Sequence, residues 1–199
     1  MNMLIDALPE AVSVDGVVYP VRWQFRTFLL IEELMEDPEL SDEMKLGLAL
    51  NLFFDNNVPP NTAQATKRLT EFYMGGSSPD EPDSSQKDAK SRARALHYGH
   101  DRERIFTAFW RSYGINLTRA DNLHWYEFKA MFSDLDADCL LVKIIGYRTM
   151  NIAKIKDKEQ RKFYADMKRK YALPLSKKAK EELKRIELAL LGDGDLTKR

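Results

Sequence analysis

The chain is poor in the residues that bind metals or form disulfides. Its 199 residues include one cysteine and three histidines. Cys139 cannot form an internal disulfide, and its place in the apolar run CLLVKIIGY predicts a small buried hydrophobic residue. His97, His100 and Asp101 carry ligand atoms suited to zinc or iron, but their spacing matches no recognised metal-binding pattern. We therefore predict neither a metal site nor a cofactor.

Sequence patterns of catalysis and of membrane insertion are also missing. Burial of Cys139 would suppress its reactivity, and no serine stands in the strand-to-helix turn that exposes a nucleophile. Gly75-Gly76 is not followed by the Gly-Lys-Ser or Gly-Lys-Thr of a phosphate-binding loop. The first residues lack the basic and apolar regions of a signal peptide, and no run of about 18 apolar residues occurs. These absences predict a soluble, intracellular protein that is not an enzyme.

The charges are unevenly distributed along the chain, although the formal net charge is +0. Residues 1–60 contain 3 Lys and Arg against 11 Asp and Glu, whereas residues 143–185 contain 15 against 5. This pattern predicts an acidic and a basic region on one molecule. Complementary faces of this kind favour head-to-tail self-association.

Hydrophobic periodicity predicts a mainly α fold, with a compact multi-helix domain, a short N-terminal β-hairpin and an amphipathic C-terminal helix. Apolar residues make up 44% of the sequence, which is enough to build a core. Residues 11–21 alternate around Asp15-Gly16, a dipeptide that accepts the positive φ angles of a two-residue hairpin turn. The segments with helical spacing are about 24–35, 44–54, 62–74, 101–113, 118–135, 138–147, 156–171 and 176–190.

One segment, residues 75–91, separates the helices into two groups. Its sequence, GGSSPDEPDSSQKDAKS, contains no large apolar residue. Because it cannot bury enough surface to offset the entropy of ordering it, we predict a flexible loop. We favour a single domain over residues 1–174 that this loop interrupts, followed by a C-terminal helix and frayed tail over residues 175–199. The alternative is a division into two domains at the loop.

Several apolar positions are predicted to form the core. From Met44 to Phe54 the sequence is apolar nearly all round, which predicts a central, buried helix. Burial of Trp110, Trp125 and Phe128 is worth about 2 kcal/mol or more for each side chain, so we expect all three inside.

The helix that carries Trp125 is expected to begin well before that residue. Thr118 followed by Asp121 matches the short capping pattern that opens a helix, and we place the start there. His124 is expected to act as a helix-start residue whose side chain hydrogen-bonds the backbone.

Four stretches of the chain resemble a known family. NLHWYEFKAMF, KIIGYRTMNIAKIKDKEQRKFY and KRKYALP follow one another near the C-terminal end, and VSVDGVVYPVRWQFRTFLLIEELMEDPELSDEMKLGLALNLFF lies near the start. Together they resemble the gene-product-fifteen family of tailed bacteriophages. The resemblance implies a role in tail assembly, because the family is associated with the genes between the major tail protein and the tape measure protein, where tail assembly chaperones are found. It brings no catalytic residues.

The resemblance therefore implies a non-enzymatic tail assembly protein that acts as, or with, the chaperone of the tape measure protein. Its partner would be the tape measure protein or another tail assembly protein. It would act in the cytoplasm of the bacterial host and be absent from the mature virion. The alternative is a helical nucleic-acid-binding protein that uses the basic C-terminal third. The neutral total charge and the lack of a helix-turn-helix pairing disfavour this alternative.

The partner-binding site is predicted in the last two helices, over residues 154–191. Their narrow apolar stripes are flanked by basic side chains whose aliphatic stems extend an apolar groove. The alternative is that both stripes dock on the protein's own core and that the basic residues form a solvated helix face. The candidate residues are Lys154, Lys156, Lys158, Arg161, Lys162, Phe163, Met167, Lys168, Arg169, Tyr171, Leu183, Ile186 and Leu190.

Overall fold

The computed structural model describes residues 3–75, 95–174 and 185–186. Within these residues the chain forms a β-hairpin, seven α-helices and one short 3-10 helix, so the predicted mainly α fold is confirmed. No helix in the described ranges is long and apolar enough to cross a membrane. In chain order the elements are β1 (Ala11–Val14), β2 (Val17–Pro20), α1 (Phe25–Glu36), α2 (Asp42–Phe53), α3 (Thr62–Tyr73), α4 (Tyr98–Tyr113), α5 (Trp125–Ser133), α6 (Leu140–Thr149), the 3-10 helix (Ile152–Lys154) and α7 (Lys158–Lys170).

The N-terminal hairpin forms as the sequence predicts. Its two strands pair antiparallel, and Asp15 and Gly16 connect them with φ angles of 51° and 80°. Positive φ at both central residues is what a two-residue hairpin turn requires. The hairpin packs on α3, where Arg68 Nε donates to the carbonyl of Ser13 at 2.8 Å, and Val14 is buried. This packing stabilises a hairpin that would be marginal by itself in water.

Aromatic rings form the centre of the core. The ring of Phe28 in α1 stacks on Trp125 of α5 and on Phe72 of α3, with ring centroids 4.8 and 5.6 Å apart. Phe128 stacks on Phe109 of α4 at 4.9 Å. All five side chains are buried, so the predicted burial of Trp125 and Phe128 is confirmed. Stacked ring contacts add to the free energy gained from burying their area.

The hydrophobic core takes residues from both sides of the segment 76–94. It unites the hairpin and α1–α3 with α4, α5 and α6. The loop predicted at 75–91 lies outside the described residues except for Gly75. The C-terminal helix and tail predicted at 175–199 lie outside them except for residues 185–186. The division of the chain into domains therefore stays a prediction.

Helix α2 is not a central, buried helix, so that prediction is wrong. Its buried residues are Ala49, Leu50 and Phe53, whereas Met44 is 55% exposed and Leu48 is 42% exposed. The helix packs on α1 and α3 with one side, and its other side faces solvent in spite of the apolar sequence. A helix that is apolar nearly all round carries no periodicity that could tell which side is covered.

Trp110 is not part of the core, which corrects a second prediction. It is 51% exposed, and its ring stacks on that of Phe106, with centroids 6.2 Å apart. α4 instead buries Ile105, Ala108 and Phe109. Each residue advances a helix by about 100°. Trp110 follows Phe109 directly, so its side chain is turned away from the buried side of α4.

Helix α5 begins at Trp125, so the start predicted near Thr118 is wrong. The Thr118 hydroxyl donates instead to the side chain of Asn116 at 2.7 Å in a turn. His124 is the N-cap of α5: its Nδ1 accepts from a backbone amide of the first turn at 3.0 Å, and its own amide donates to the Glu127 carboxylate at 2.9 Å. The expected backbone hydrogen bond of His124 is therefore confirmed, and it forms one half of a capping box.

Candidate partner-binding site

Helix α7 carries most of the candidate partner-binding residues, and its ends are specified locally. Asp157 is its N-cap, whose side chain accepts from the Gln160 amide at 2.7 Å. The basic run 168–170 stands in the last turn, where the helix dipole favours positive charge. None of the residues of α7 is buried. Helix α7 therefore lies on the surface of the protein.

Tyr147 of α6 is the main aromatic contact of α7. Its ring centroid lies 6.4 Å from that of Phe163, 6.1 Å from that of Tyr164 and 6.1 Å from that of Tyr171. Met167 and Tyr171 are partly buried, whereas Phe163 remains 50% exposed. The apolar stripe of α7 thus docks in part on the protein itself, and Phe163 keeps half of its surface available.

Arg148 at the end of α6 joins α7 to the rest of the fold. Its Nε donates to the carbonyl of Tyr171 at 2.6 Å, and its Nη1 donates to the carbonyl of Ala95 at 2.8 Å. Nη1 and Nη2 also donate to the two carboxylate oxygens of Asp101, at 2.6 and 3.0 Å. The Asp101 side chain is 0% exposed, so this bidentate ion pair is shielded from solvent. No sequence pattern singled out Arg148, because its partners lie far away along the chain.

The three side chains considered as metal ligands are engaged in other contacts. His97 accepts from the His100 amide through Nδ1 at 3.3 Å and pairs with Glu36 through Nε2 at 2.8 Å. Burial alone would raise the pKa of Asp101, but hydrogen bonds from Arg148 and from the His97 amide, with the nearby positive charges, lower that pKa below its usual value. Across residues 3–75 and 95–174, no group of three or more His, Cys, Asp or Glu side chains is placed to hold a metal ion.

The basic candidate residues differ in how their charges are used. Arg161 and Lys168 donate to backbone carbonyls at 2.9 and 3.0 Å, and Arg169 pairs with Asp166 on the same helix at 2.8 Å. The other four side chains are exposed and form no hydrogen bond or ion pair within the described part of the chain: Lys154, Lys156, Lys158 and Lys162. These lysines give α7 and the segment before it an uncompensated positive surface.

The apolar candidates near the C-terminus are only partly described. Ile186 lies in helical backbone and is 51% exposed. Leu183 and Leu190 lie outside the described residues. Whether these three residues extend the surface of α7 therefore stays a prediction.

Sequence reasoning missed a second surface with exposed apolar side chains. On α2, Met44 and Leu48 stand one turn apart beside Asp42 and Glu43, and all four are exposed. Residues four positions apart share one side of a helix. The spacing of the two apolar residues next to a pair of carboxylates was the signal that could have revealed this surface.

The sequence matches a known protein family over most of its length. The sequence profile of the family described as Bacteriophage Gp15 protein matches residues 4–173, a range that includes the hairpin and all the helices defined above. No curated protein and no solved structure showed a significant match to the chain. The family match confirms the resemblance seen in the sequence motifs. The chain therefore belongs to the bacteriophage Gp15 family and is a phage-associated protein.

Proposed function

We propose that this phage protein is a non-enzymatic tail assembly protein that acts as, or with, a chaperone of the tape measure protein. Membership of the family supports a role in the phage. The observation that carries the partner-binding part is the surface of α7, a helix without any buried residue on which Phe163 is half exposed among unpaired lysines. An amphipathic partner helix fits such a surface.

The chemistry of α7 favours a partner that is both apolar and acidic. Phe163 offers an anchor for an apolar stripe, and Lys158 and Lys162, four residues apart, give another side of the helix positive charge. Carboxylates of the partner would steer the partner toward the lysines of α7, and the apolar contact would stabilise the complex. A long helical tape measure protein exposes apolar stripes before the tail tube encloses it, and such stripes aggregate unless they are covered. We place this activity in the cytoplasm of the host cell, with the protein absent from the finished virion.

Deletion of the gene tests the role in assembly. We expect particles with heads but without proper tails, and a copy of the gene supplied in trans should restore infectious particles. A copy with Lys158→Glu and Lys162→Glu should fail to restore them, because both changes place negative charge on the proposed partner surface. The matched control carries Lys67→Glu and Arg119→Glu, two exposed positions away from α7, and should restore tails. Normal tails in the deletion strain would refute the proposal.

Binding in solution separates the proposal from the nucleic-acid alternative. Co-expression with the tape measure protein should keep that protein in the soluble fraction, and the α7 double variant should lose this effect while the control keeps it. DNA retention by the purified protein that weakens steeply with salt, without any binding of the tape measure protein, would support the alternative instead.

A further inference from the structure

The connection between α1 and α2 forms a strongly acidic region. Residues 32–43 contain seven carboxylates and no lysine or arginine. Lys45 Nζ donates to the carbonyl of Met35 at 2.9 Å, which holds the start of α2 against the end of α1. The residues defined here as the acidic face are the exposed carboxylates Glu33, Glu36, Asp42 and Glu43.

Apolar side chains are exposed next to the acidic face. Met35 is 42% exposed, Met44 is 55% exposed and Leu48 is 42% exposed. Within the described residues the one ion pair made by the acidic face joins Glu36 to His97. This surface therefore combines uncompensated negative charge with apolar area, and both would gain from a basic, amphipathic partner.

Helix α7 presents the opposite combination. Residues 154–170 contain eight lysines and arginines against three acidic residues. We define the basic face by four exposed cations of α7: Lys158, Arg161, Lys162 and Arg169. Phe163, whose ring is 50% exposed, lies at least about 100° away from these residues around the helix axis. Of these four, only Arg169 has an ion-pair partner in the described part of the chain, and that partner is on α7 itself.

The two faces do not neutralise each other within one molecule. α7 packs on α6, α6 packs on α4, α4 packs on α1 and α1 packs on α2. No ion pair among the described residues joins them. Their complementary charges are thus available to another molecule.

We propose that the basic face of one copy docks on the acidic face of a second copy. The cations of α7 then meet the carboxylates of the acidic face, and the contact covers the exposed side chains of Met35 and Met44. A two-fold dimer makes this contact twice, and an open head-to-tail chain makes it once for each added copy. The inference goes beyond the proposed function, and because it uses the same helix, a second copy and a tail protein would compete for α7.

Sedimentation velocity of the purified full-length protein gives the first test. Electrostatic screening shortens from about 10 Å at about 0.1 M salt to about 3 Å at about 1 M salt, which weakens contacts between exposed charges. We expect a weight-average mass above the monomer value of 23.1 kDa at the lower salt, rising with protein concentration, and a return to that value at the higher salt. A protein that stays monomeric at the lower salt over the whole accessible concentration range overturns the proposal.

Charge exchange between the two faces gives the decisive test. The basic-face variant carries Lys158→Glu and Lys162→Glu, and the acidic-face variant carries Glu33→Lys and Glu43→Lys. Each variant alone should be monomeric at low salt, because one of its two faces has lost its net charge. An equimolar mixture should associate again, since the unaltered basic face of the acidic-face variant meets the unaltered acidic face of the basic-face variant. Association of either variant alone as strong as that of the wild type overturns the proposal, and so does a mixture that stays monomeric.

A control separates face-specific pairing from the effect of net charge. The Lys67→Glu and Arg119→Glu variant has the same net charge as the basic-face variant but unaltered faces. It should associate like the wild type, because both faces are intact. A loss of association as large as that of the basic-face variant would overturn the proposal, and far-UV circular dichroism of every variant verifies that each one is folded.

Discussion

At the scale of single residues, the main feature of the fold is the buried ion pair between Asp101 and Arg148. Both side chains are almost completely removed from solvent, with exposures of 0% and 9%. Two charges in such a place are tolerated because each is hydrogen-bonded by the other and by neighbouring groups. Since Arg148 also donates to the carbonyl of Tyr171, the same pair orients the end of α7.

We expect Asp101→Asn to destabilise the protein by about 3–5 kcal/mol at neutral pH, because it leaves Arg148 buried without a countercharge. The pKa of Asp101 is lower in the folded protein than in the unfolded chain, so its stabilising effect is complete above the unfolded pKa and is lost as the pH falls through the folded pKa. The difference in free energy of unfolding between wild type and variant should therefore shrink as the pH falls below the usual pKa of an aspartate. Urea unfolding at a series of pH values measures it.

The control for this prediction is Asp166→Asn, which removes an ion pair on the surface of α7. Arg169, the partner of Asp166, has a side chain that is 83% exposed, so the change should cost no more than about 1 kcal/mol. Equal stability losses in the two variants would show that the buried ion pair of Asp101 contributes no more to stability than the exposed pair of Asp166.

The different environments of two tryptophans give a second residue-level prediction. Trp110→Phe should change the free energy of unfolding by no more than about 0.5 kcal/mol, because the side chain is 51% exposed. Trp125→Phe should cost about 1–3 kcal/mol, since it removes buried volume from the core and the 2.9 Å hydrogen bond of the indole N–H to the Tyr73 carbonyl, which keeps Lys129 as a donor. Acrylamide quenching should fall most in the Trp110 variant. A large stability loss in that variant would contradict the exposed position.

At the scale of the element, the N-terminus of α5 depends on an unusual cap. His124 accepts from a backbone amide through Nδ1, so its Nε2 carries the proton and donates to the carbonyl of Pro9 at 3.0 Å. Its ring also stacks on that of Trp23, with centroids 5.4 Å apart. One side chain thus caps a helix and attaches the N-terminal segment to it.

We expect His124→Ala to cost about 2 kcal/mol or more in the free energy of unfolding, since it removes a cap and leaves the buried polar groups around it unpaired. The comparison is Ser41→Ala, which removes the exposed cap of α2, a 3.2 Å contact to the Met44 amide, and should cost about 1 kcal/mol or less. Urea midpoints of the two variants measure both costs. A smaller loss for His124→Ala than for Ser41→Ala would contradict the double role.

At the scale of the whole molecule, the hairpin and helices α1 to α7 all lie before Pro174 in the chain. We expect a chain truncated after Pro174 to keep its helical circular dichroism and its salt-sensitive self-association, because α7 and the acidic face are both retained. Binding of the tape measure protein should weaken, since Leu183, Ile186 and Leu190 are lost. Unchanged binding by the truncated chain would exclude these three residues from the partner-binding site.

The arrangement of charge is also a property of the whole molecule. Sequence counts already show an acidic N-terminal region and a basic C-terminal region. Only the structure shows that no ion pair among the described residues joins the basic face to the acidic face. The counts predict that complementary charges exist, and the fold decides that they do not cancel within one chain.

Local features of this protein were determined by the sequence alone. The Asp15-Gly16 turn, the Ser41 cap of α2 and the surface position of α7 all depend on residues within a few positions of one another. The argument from burial free energy was right for Trp125 and Phe128 but wrong for Trp110, so sequence determined the burial of aromatic side chains only in part.

The tertiary structure alone decided which sides of α2 and α4 face solvent and which groups surround Arg148. The exposure of Met44, Leu48 and Trp110 depends on how many neighbours each helix has and on which side they pack, and hydrophobicity along the chain does not contain that information. Arg148 meets Asp101 and Ala95 only when distant segments are brought together. Secondary structure arises from interactions between near neighbours in the sequence, whereas burial and ion pairing arise from contacts that exist only after the helices have packed.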